Sequence, residues 1–503
     1  MNSIPKFRNL ILLILPLFYS APVLSQLTGN TVSEFQGGNI PDSEQQDLTT
    51  LYNRTNLKYK YKKLTLGLRY EMFLNPDKGK EYYDLSGYNL RYKDQGLEIK
   101  LGHFNETLGN GILLRSYEIP GSIFEDQAYR IRYGFYRDLR GALVSYNHKY
   151  FRLKVLKASS LVNVLPPTLE DKDRRTDLTD AIELESRILN QRIGVIFMRN
   201  THFDNIEDYS SFFLAGNFLS RVAYRFELAK GLDQSPFGDF GDGSSYGIYG
   251  NLNYSQKGFG VSIEYKNYKN IFIGSGISDP PTLIKEQSYR VLNRSIHVPD
   301  LTDESGIQTE MFFNLRNDNT LVINYAGTKN ELYRDFFFHE FFVEYQHALN
   351  KSGQLRFFLD YSKDPFRLED NRYSGGIYFE GNGFKETGMS IQTEYQYFQR
   401  SSFLSEKVST MVLIYSLYKS GEWALNLNYE NSSDPIQTDL SSTADIERGR
   451  KHWFGIDATK EINRKNKLSL FAGTRRGGPA CTSGICYEVL DFEGVEIRLT
   501  TKF

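Results

Sequence analysis

Two cysteines near the end of the chain are the residues best suited to covalent chemistry. Cys481 and Cys486 are the only cysteines, and the TSG between them contains a glycine that permits a tight turn. Such a turn brings two Cα atoms within disulfide range, and exported proteins commonly carry disulfides. The sequence therefore predicts a disulfide that pins the last extracellular loop. Two unpaired thiols are the alternative, and a metal site is disfavoured because two ligands do not complete a coordination shell.

Other spacings typical of catalytic or metal-binding residues are not evident. The 7 histidines are scattered, and the nearest pair, His339 and His347, would share one face of a strand at a distance too great to chelate one ion. No G-x-S-x-G motif occurs, and the glycines of GNGF and LGNGI precede no helix that could bind phosphate. We therefore expect no enzymatic activity, no metal and no cofactor.

Charges of both signs concentrate in one irregular, glycine-containing segment. Such a segment could fold into the lumen of a barrel and narrow it, as constriction loops do in porins. An ordinary charged hairpin explains the same composition equally well. The candidate lumen-constriction residues are Arg115, Glu118, Glu125, Asp126, Arg130 and Arg132.

A second long segment runs from Tyr268 to Gly306. It is stiffened by the adjacent prolines Pro280 and Pro281. Its length is typical of a lid or of a surface that docks a partner. A protein partner at the long extracellular loops is therefore a hypothesis.

The elements that must position these residues are β-strands. LTLGLRYE places Leu64, Leu66, Leu68 and Tyr70 on one face and polar residues on the other. GLEIKLG, VSIEY, LRFFLDY and WALNLNY repeat this alternation, which helical spacing would not produce. Most of these segments begin or end their apolar face with an aromatic residue, as the interface girdles of transmembrane barrels do. A soluble β-sandwich or propeller would also alternate, so alternation alone does not decide.

The composition favours a membrane barrel. Aromatic residues make up 15% of the chain, and the 60 basic and 61 acidic residues leave a net charge of -1. This balance gives no support for a nucleic-acid partner. The mean hydropathy of -0.46 would suit a soluble protein. In a barrel, however, lipid-facing and lumen-facing residues alternate and average to a similar value.

The connections between strands alternate between long and short. Counting back from Phe503, RRGGPACTSGICYE and NSSDPIQTDLSSTADIE are long, whereas NRKN and KSGE are short. Outer-membrane barrels show this asymmetry. The sequence therefore predicts an all-β fold, a transmembrane antiparallel β-barrel of roughly two dozen strands with long extracellular loops and short periplasmic turns.

The N-terminal region predicts export. Lys6 and Arg8 precede an apolar run, and small residues up to Ser25 suit cleavage by a signal peptidase. A membrane anchor is the alternative, but the run is short for a spanning helix. We expect residues 1–25 to be a signal peptide and residues 26–503 to form the outer-membrane β-barrel as one domain.

The chain ends in the amphipathic strand VEIRLTTKF. Its apolar face consists of Val495, Ile497, Leu499, Thr501 and Phe503. A C-terminal strand of this kind resembles the signal by which outer-membrane assembly machinery recognises its clients. The resemblance implies the cell outer membrane as location, with the assembly machinery and outer-membrane lipid as partners.

Three stretches span most of the chain after the predicted signal. They are GHFNETLGNGILLRSYE, PPTLIKEQSYRVLNRSIHVP and RRGGPACTSGICYEVLDFEGVEIRLTTKF. Together they resemble a family of large, porin-like outer-membrane β-barrel proteins from Bacteroidetes. The resemblance implies location and architecture, and it implies no reaction, ligand or catalytic residue.

Two classes of function remain open. The first is a porin-like channel that allows passive diffusion of small hydrophilic solutes without a cofactor. The second is a structural or accessory barrel of a surface assembly or secretion complex, with its lumen plugged by its own segments. An active receptor-type transporter is disfavoured because the sequence shows no energy-coupling box and no N-terminal plug domain.

Overall fold

A computed structural model describes most of the chain. The described residues are 26–39, 41, 48–126, 130–232, 244–275, 280–283, 285–298, 300–330, 336–349, 353–383, 386–400, 406–434, 450–482 and 485–503. The expected signal peptide lies outside these ranges, so export stays a prediction. Within them, no helix is long and apolar enough to cross a membrane.

Twenty-four strands form one closed antiparallel barrel, which confirms the predicted fold class and strand number. The first group of barrel strands is β1 (Leu27–Asn39), β2 (Leu48–Tyr61), β3 (Leu64–Leu74), β4 (Tyr82–Asp94), β5 (Leu97–Phe104), β8 (Leu139–Asn147), β9 (Phe151–Ser160), β10 (Asp177–Ile188), β11 (Gln191–His202), β12 (Asn205–Phe218), β13 (Val222–Gly231) and β14 (Tyr246–Gln256). The second group is β15 (Phe259–Lys269), β16 (Asp303–Asn314), β17 (Thr320–Asn330), β18 (Phe337–Ala348), β19 (Gly353–Asp364), β20 (Glu369–Asn382), β21 (Gly388–Arg400), β22 (Glu406–Lys419), β23 (Trp423–Ser432), β24 (Lys451–Asn463), β25 (Asn466–Arg475) and β28 (Phe492–Lys502). The sheet closes because β1 pairs with both β2 and β28.

Two hairpins lie outside the barrel sheet. They are β6 (Tyr117–Glu125) with β7 (Arg132–Arg137), and β26 (Gly478–Thr482) with β27 (Ile485–Val489). Because each hairpin is inserted between two barrel strands, β5 pairs with β8 and β25 pairs with β28. The short helices are α1 (Asp171–Arg174) and α2 (Arg290–Asn293), and single 3-10 turns occur at Lys78–Lys80, Arg316–Asp318 and Pro365–Arg367.

The side chains of β28 show how the two faces of the barrel wall differ. Val495, Ile497 and Leu499 are 44%, 38% and 38% exposed on the outside of the barrel. Arg498 points into the lumen, where its Nε donates to Oε2 of Glu34 on β1 at 2.5 Å. Successive residues of a strand point to opposite faces, so the alternation in the sequence becomes an apolar outside and a charged inside.

The chain enters and leaves the barrel wall at one end. The N–H of Gly29, near the start of β1, donates to the carbonyl of Phe503 at 2.9 Å. The turns that join β18 to β19, β22 to β23 and β24 to β25 lie at this Phe503 end, and the connections from β23 to β24 and from β25 to β28 lie at the opposite end. Short turns therefore gather at the Phe503 end, as the sequence predicts.

Four glycines form a row across the seam where the barrel closes. Gly38 of β1 pairs with Gly494 of β28, which pairs with Gly473 of β25, which in turn pairs with Gly455 of β24. Gly473 and Gly494 have φ angles of 129° and 151°, which residues with a Cβ rarely adopt. A Cβ at Gly38 would lie 2.1 Å from the carbonyl oxygen of Glu493. The backbones in this glycine row are therefore closer than side chains would allow.

Candidate functional site

Three segments leave the barrel wall, and their described residues lie in the lumen. The first inner segment is residues 105–138, the second is residues 270–302 and the third is residues 476–491. They connect β5 to β8, β15 to β16 and β25 to β28, so all three enter the lumen from the end opposite Phe503. The candidate site lies where their described parts meet the inner wall.

The first inner segment contacts two separate parts of the wall. Near its start, the Gly109 N–H donates to Oε2 of Glu183 on β10 at 2.9 Å, and Leu108 is fully buried against the same side. Farther along, the hairpin of β6 and β7 packs its apolar side chains against Tyr52 of β2 and Phe73 of β3. The segment therefore bridges wall strands that are not neighbours in the barrel.

Ion pairs join the hairpin of the first inner segment to the wall. Arg132 forms an ion pair with Glu34 of β1, and its Nε lies 3.0 Å from Oε2 of Glu125. Arg130 Nη1 lies 3.0 Å from the other oxygen of Glu125. Burial raises the pKa of Glu125 above its usual range, although the charge of Arg130 opposes this shift.

The remaining candidate constriction residues also lie in the first inner segment. Glu118 Oε2 accepts from Nη2 of Arg69 on β3 at 2.5 Å. Asp126 Oδ2 accepts from the N–H of the residue five positions later, at 2.9 Å. Arg115 forms an isolated β-bridge with Thr107. The structure thus places the whole set on a hairpin-containing segment inside the barrel.

The second inner segment buries its middle in the lumen. The N–H of Val291 donates to Oε2 of Glu394 on β21 at 2.8 Å. Val291 and Leu292 pack with Phe342 of β18 and Phe358 of β19 in one buried cluster. The sequence alone suggests a lid or an outward docking surface between Tyr268 and Gly306. In the structure the strands extend farther than expected from both sides, and the middle of the segment lies inside the barrel.

His297 fastens the second inner segment to the wall. Its Nδ1 lies 3.1 Å from Oδ2 of Asp364 on β19, and its Nε2 lies 3.3 Å from Oε2 of Glu304 on β16. The ring stacks on Phe338 with centroids 4.3 Å apart. Burial alone would lower the pKa of His297, but the hydrogen bonds to two carboxylates raise it above its usual value. The doubly protonated ring can donate to both carboxylates at once.

The third inner segment connects the other two. Arg130 of the first inner segment donates from Nη2 to the carbonyl of Asp491 at 3.2 Å. Arg294 of the second inner segment donates from Nη2 to the carbonyl of Arg476 at 2.9 Å. The three inner segments therefore form one connected layer across the lumen.

Between this layer and the Phe503 end, the lumen keeps partly exposed polar walls. On β19, the inward residues Phe358, Asp360 and Ser362 are buried next to the layer. Gln354 and Arg356, closer to the Phe503 end, are only partly buried. The inward faces of β17 and β23 show the same gradient. We call this polar space the vestibule.

A cavity of about 490 Å³ lies between the second inner segment and strands β23, β24 and β25. Arg290, Arg294, Arg475 and Arg476 all line it. Glu430 of β23 accepts from Arg294 Nη1 at 2.6 Å and from Arg476 Nη1 at 2.8 Å. No pattern in the sequence predicts this cavity. Apolar residues in the middle of a presumed loop, such as Val291, were the local signal that the segment is buried.

Residues 24–503 match DUF6029, which is described as a family of unknown function. The chain belongs to this family. The comparison with curated proteins finds no match.

Among solved structures, several barrels are similar to this DUF6029 member. The P pilus usher (PapC) translocation pore is 9% identical with a TM-score of 0.44, over 95% of this chain and 99% of that chain. OpdO from Pseudomonas aeruginosa is 12% identical with a TM-score of 0.41, over 71% and 96% of the two chains. The siderophore receptor PirA from Acinetobacter baumannii is 9% identical with a TM-score of 0.44, over 95% and 80%.

The two cysteines of this DUF6029 member occupy facing positions of one hairpin. Cys481 of β26 pairs with Cys486 of β27 in the backbone register. Cα atoms directly opposite each other in antiparallel strands are about 4.5–5.5 Å apart, which is within disulfide range. Their side chains lie outside the described part of the structure, so the disulfide stays a prediction. The hairpin belongs to the third inner segment, where the Tyr487 ring lies 5.2 Å from that of Phe135.

The other residue types considered for chemistry are not gathered into a site. Across the described residues, no group of three or more His, Cys, Asp or Glu could hold a metal ion. His339 and His347 both lie in β18, an even number of residues apart, and therefore on one face. The expected absence of enzymatic activity and of a cofactor stays a prediction.

Proposed function

We propose that this DUF6029 member is an outer-membrane, porin-like channel for small hydrophilic solutes, in which the three inner segments constrict the extracellular half of the lumen. The observation that carries the proposal is the polar inner wall of the vestibule, where charged residues such as Arg356 stay partly exposed. The arginine-lined cavity reaches Asn428 and Asp457, which are also partly exposed, and so extends polar space into the layer of inner segments. Large barrels with polar interiors commonly form aqueous channels.

Membrane insertion is supported by the outside of the barrel. Leu66 and Leu68 are each 49% exposed there, and Leu359 is 72% exposed. Apolar side chains spread over an outer surface are favourable in lipid and unfavourable in water. The proposal therefore includes the outer membrane as location. A Bacteroidetes source, which the sequence resemblance implies, stays a prediction.

The terminal aromatic provides a test of membrane assembly. Phe503 is 40% exposed at the end of β28, and its backbone N–H donates to the carbonyl of Gly29 at 3.0 Å. We expect Phe503→Asp to reduce the amount of heat-modifiable barrel in the outer membrane more than Lys502→Asp does, because only Phe503 continues the apolar outer face. Equal effects of the two variants would contradict the assembly role.

The orientation can be tested with an inserted epitope. β23 ends and β24 begins opposite the Phe503 end, and the turn between Asn463 and Asn466 lies at the Phe503 end. Asp434 itself is buried, with its Oδ1 at 2.6 Å from Arg400 Nη1, so the epitope should be placed well beyond it. Antibody should label intact cells for the first insertion and only broken cells for the second. The reverse pattern would mean that the barrel is inverted.

Conductance in planar bilayers tests the channel itself. Purified wild type should give small open-channel steps, because the inner segments occupy part of the lumen. Replacing residues 117–137 with a short Gly-Ser linker removes the β6–β7 hairpin and should enlarge the steps. Heat-modifiable migration in both proteins would show that the barrel is folded. A folded wild type that passes no current would refute the channel proposal.

A structural or accessory barrel is the second candidate. The contacts of Arg130 with Asp491 and of Arg294 with Arg476 favour it, because they join the inner segments into one layer that could close the lumen. This candidate predicts a silent wild type in bilayers, and it predicts that a surface protein copurifies through the long extracellular loops. Open-channel steps from the wild type would count against it.

A further inference from the structure

We infer that the cavity between the second inner segment and strands β23 to β25 binds small anions that carry phosphate or carboxylate oxygens. The inference rests on the proposed channel only for the route by which the anion arrives, because binding can be measured without current. The cavity holds about 490 Å³. Since a water molecule takes about 30 Å³ in the liquid, an anion of several heavy atoms fits together with some of its hydration shell.

The positive charge of the cavity comes from separate parts of the chain. Arg290 and Arg294 belong to the second inner segment, Arg475 ends β25 and Arg476 follows it. Guanidinium groups on different elements can surround an anion and present paired N–H donors to its oxygens.

Arg290 keeps much of its donor capacity. Its Nη2 lies 3.1 Å from Oδ1 of Asn428, and its Nη1 lies 3.9 Å from Oε2 of Glu430. The side chain is 32% exposed. A neutral amide and one distant carboxylate oxygen leave most of its five N–H donors available to a ligand.

Glu430 organises the arginines and is not placed to attract a cation. Its side chain is 4% exposed, and its Oε1 accepts from both Arg294 and Arg476. Asp457 and Glu286 are the other carboxylates of the lining, and Asp457 accepts from Nδ2 of Asn428. Glu430 and Asp457 therefore hold the donors in position, and the four guanidinium groups outnumber the three carboxylates around the cavity.

Some buried donors of the lining lack a hydrogen-bond partner. Among the described residues of the lining, Nε2 of Gln287, a residue that is 4% exposed, and Nε of Arg475 are the two donors that matter here. The guanidinium of Arg475 also lies 5.3 Å from the ring centre of Phe471 and 5.4 Å from that of Phe492, which restricts its orientation. A buried donor without an acceptor is unfavourable. An anion with several oxygens would satisfy these donors, whereas a cation would not.

Calorimetric titration of the purified full chain in detergent tests the site. The probes are sodium phosphate, sodium succinate and choline chloride, at constant ionic strength. We expect saturable binding of phosphate, succinate or both, and none of choline. Arg290→Gln should weaken anion binding about tenfold or more, because it removes a charge-assisted donor. Arg225→Gln is the matched control, since Arg225 is an exposed residue on the inward face of β13 outside this cavity.

A second variant protects the test against a folding defect. Gln287→Met keeps the approximate size of the side chain and removes the unpartnered donor, so it should also weaken anion binding. Heat-modifiable migration must match that of the wild type in each variant that is compared. Absence of saturable anion binding by the folded wild type would overturn the inference, as would equal losses in Arg290→Gln and Arg225→Gln or equal binding of choline.

Bilayer conductance separates this inference from the channel proposal. A wild type that binds an anion but passes no current supports the site and refutes the channel. A wild type that conducts but binds neither anion refutes the site and leaves the channel standing.

Discussion

Replacing the carboxylate of Glu34 tests how the first inner segment is held in the lumen. Glu34 is 1% exposed on β1, and it pairs with Arg132 of the inner hairpin and with Arg498 of β28. Glu34→Gln keeps the shape of the side chain but removes the charge that both guanidinium groups share. We expect the hairpin to dock less firmly and the folded barrel to lose stability.

The contacts of the two arginines set the size of this effect. Removing one partner of a buried ion pair costs about 3–5 kcal/mol. Arg132 retains Glu125 at 3.0 Å, and the Arg498 side chain is 37% exposed, so water can solvate part of its charge. The expected loss in the free energy of unfolding is therefore at the lower end, about 3 kcal/mol.

Urea unfolding in lipid vesicles, followed by tryptophan fluorescence, measures the loss. The matched control is Asp208→Asn, because Asp208 is 37% exposed and pairs at 2.7 Å with Arg199, which is 55% exposed, and such a pair contributes only about 0–1 kcal/mol. A double-mutant cycle with Arg132→Gln should give a coupling of about 0.5–3 kcal/mol. The reasoning is refuted if Glu34→Gln costs no more than the control, or if its effect and that of Arg132→Gln are additive.

Three further predictions concern the outer surface, pH and the cysteines. Leu499→Arg should lower the free energy of unfolding by about 2–4 kcal/mol because it places a charge near the bilayer midplane. Thr501→Arg, which is nearer the interface, should lower it by only about 0–1 kcal/mol. Equal losses in the two variants would contradict the membrane placement of β28. The pKa of His297 is raised in the folded protein, so protonated His297 stabilises the second inner segment fully below the usual pKa of 6.5. This stabilisation is lost as the pH rises through the folded pKa. Wild-type conductance should therefore increase on the alkaline side, and the same increase in His297→Gln would speak against this role. Mass mapping without reductant should find one disulfide between Cys481 and Cys486. Reduction of this disulfide should leave the barrel assembled because the loop that it closes is small. Free thiols in freshly purified protein would disprove the disulfide.

The architecture of the wall was accessible from the sequence because its signals are local. In β28, the apolar residues Val495, Ile497 and Leu499 alternate with charged ones, and a strand in a membrane wall must show this period. Short turns between such segments then indicate the antiparallel order, and counting the segments gives roughly two dozen strands. The structure agrees on all of these features.

The inner segments could not be derived in this way because their contacts are distant in sequence. The hydrogen bond from Arg130 to Asp491 joins residues 361 positions apart, and no local pattern records it. Alternation tells which face of a strand points inward, but it does not tell what covers that face. The candidate constriction residues could be proposed because charges of both signs cluster in sequence, and their role in narrowing the lumen stays a prediction. The arginines of the anion cavity were missed because they come from distant elements.

The glycine row crosses the line along which the finished barrel is sealed. Gly38, Gly494, Gly473 and Gly455 add no side chains of their own to the wall, and the ring of Phe471 lies where a Cβ of Gly455 would be. Glycines also stiffen a strand less than β-branched or aromatic residues do. During assembly, the first and last strands meet at this level without side chains that must interlock. Residues outside the glycine row therefore have to set the alignment of the two edges.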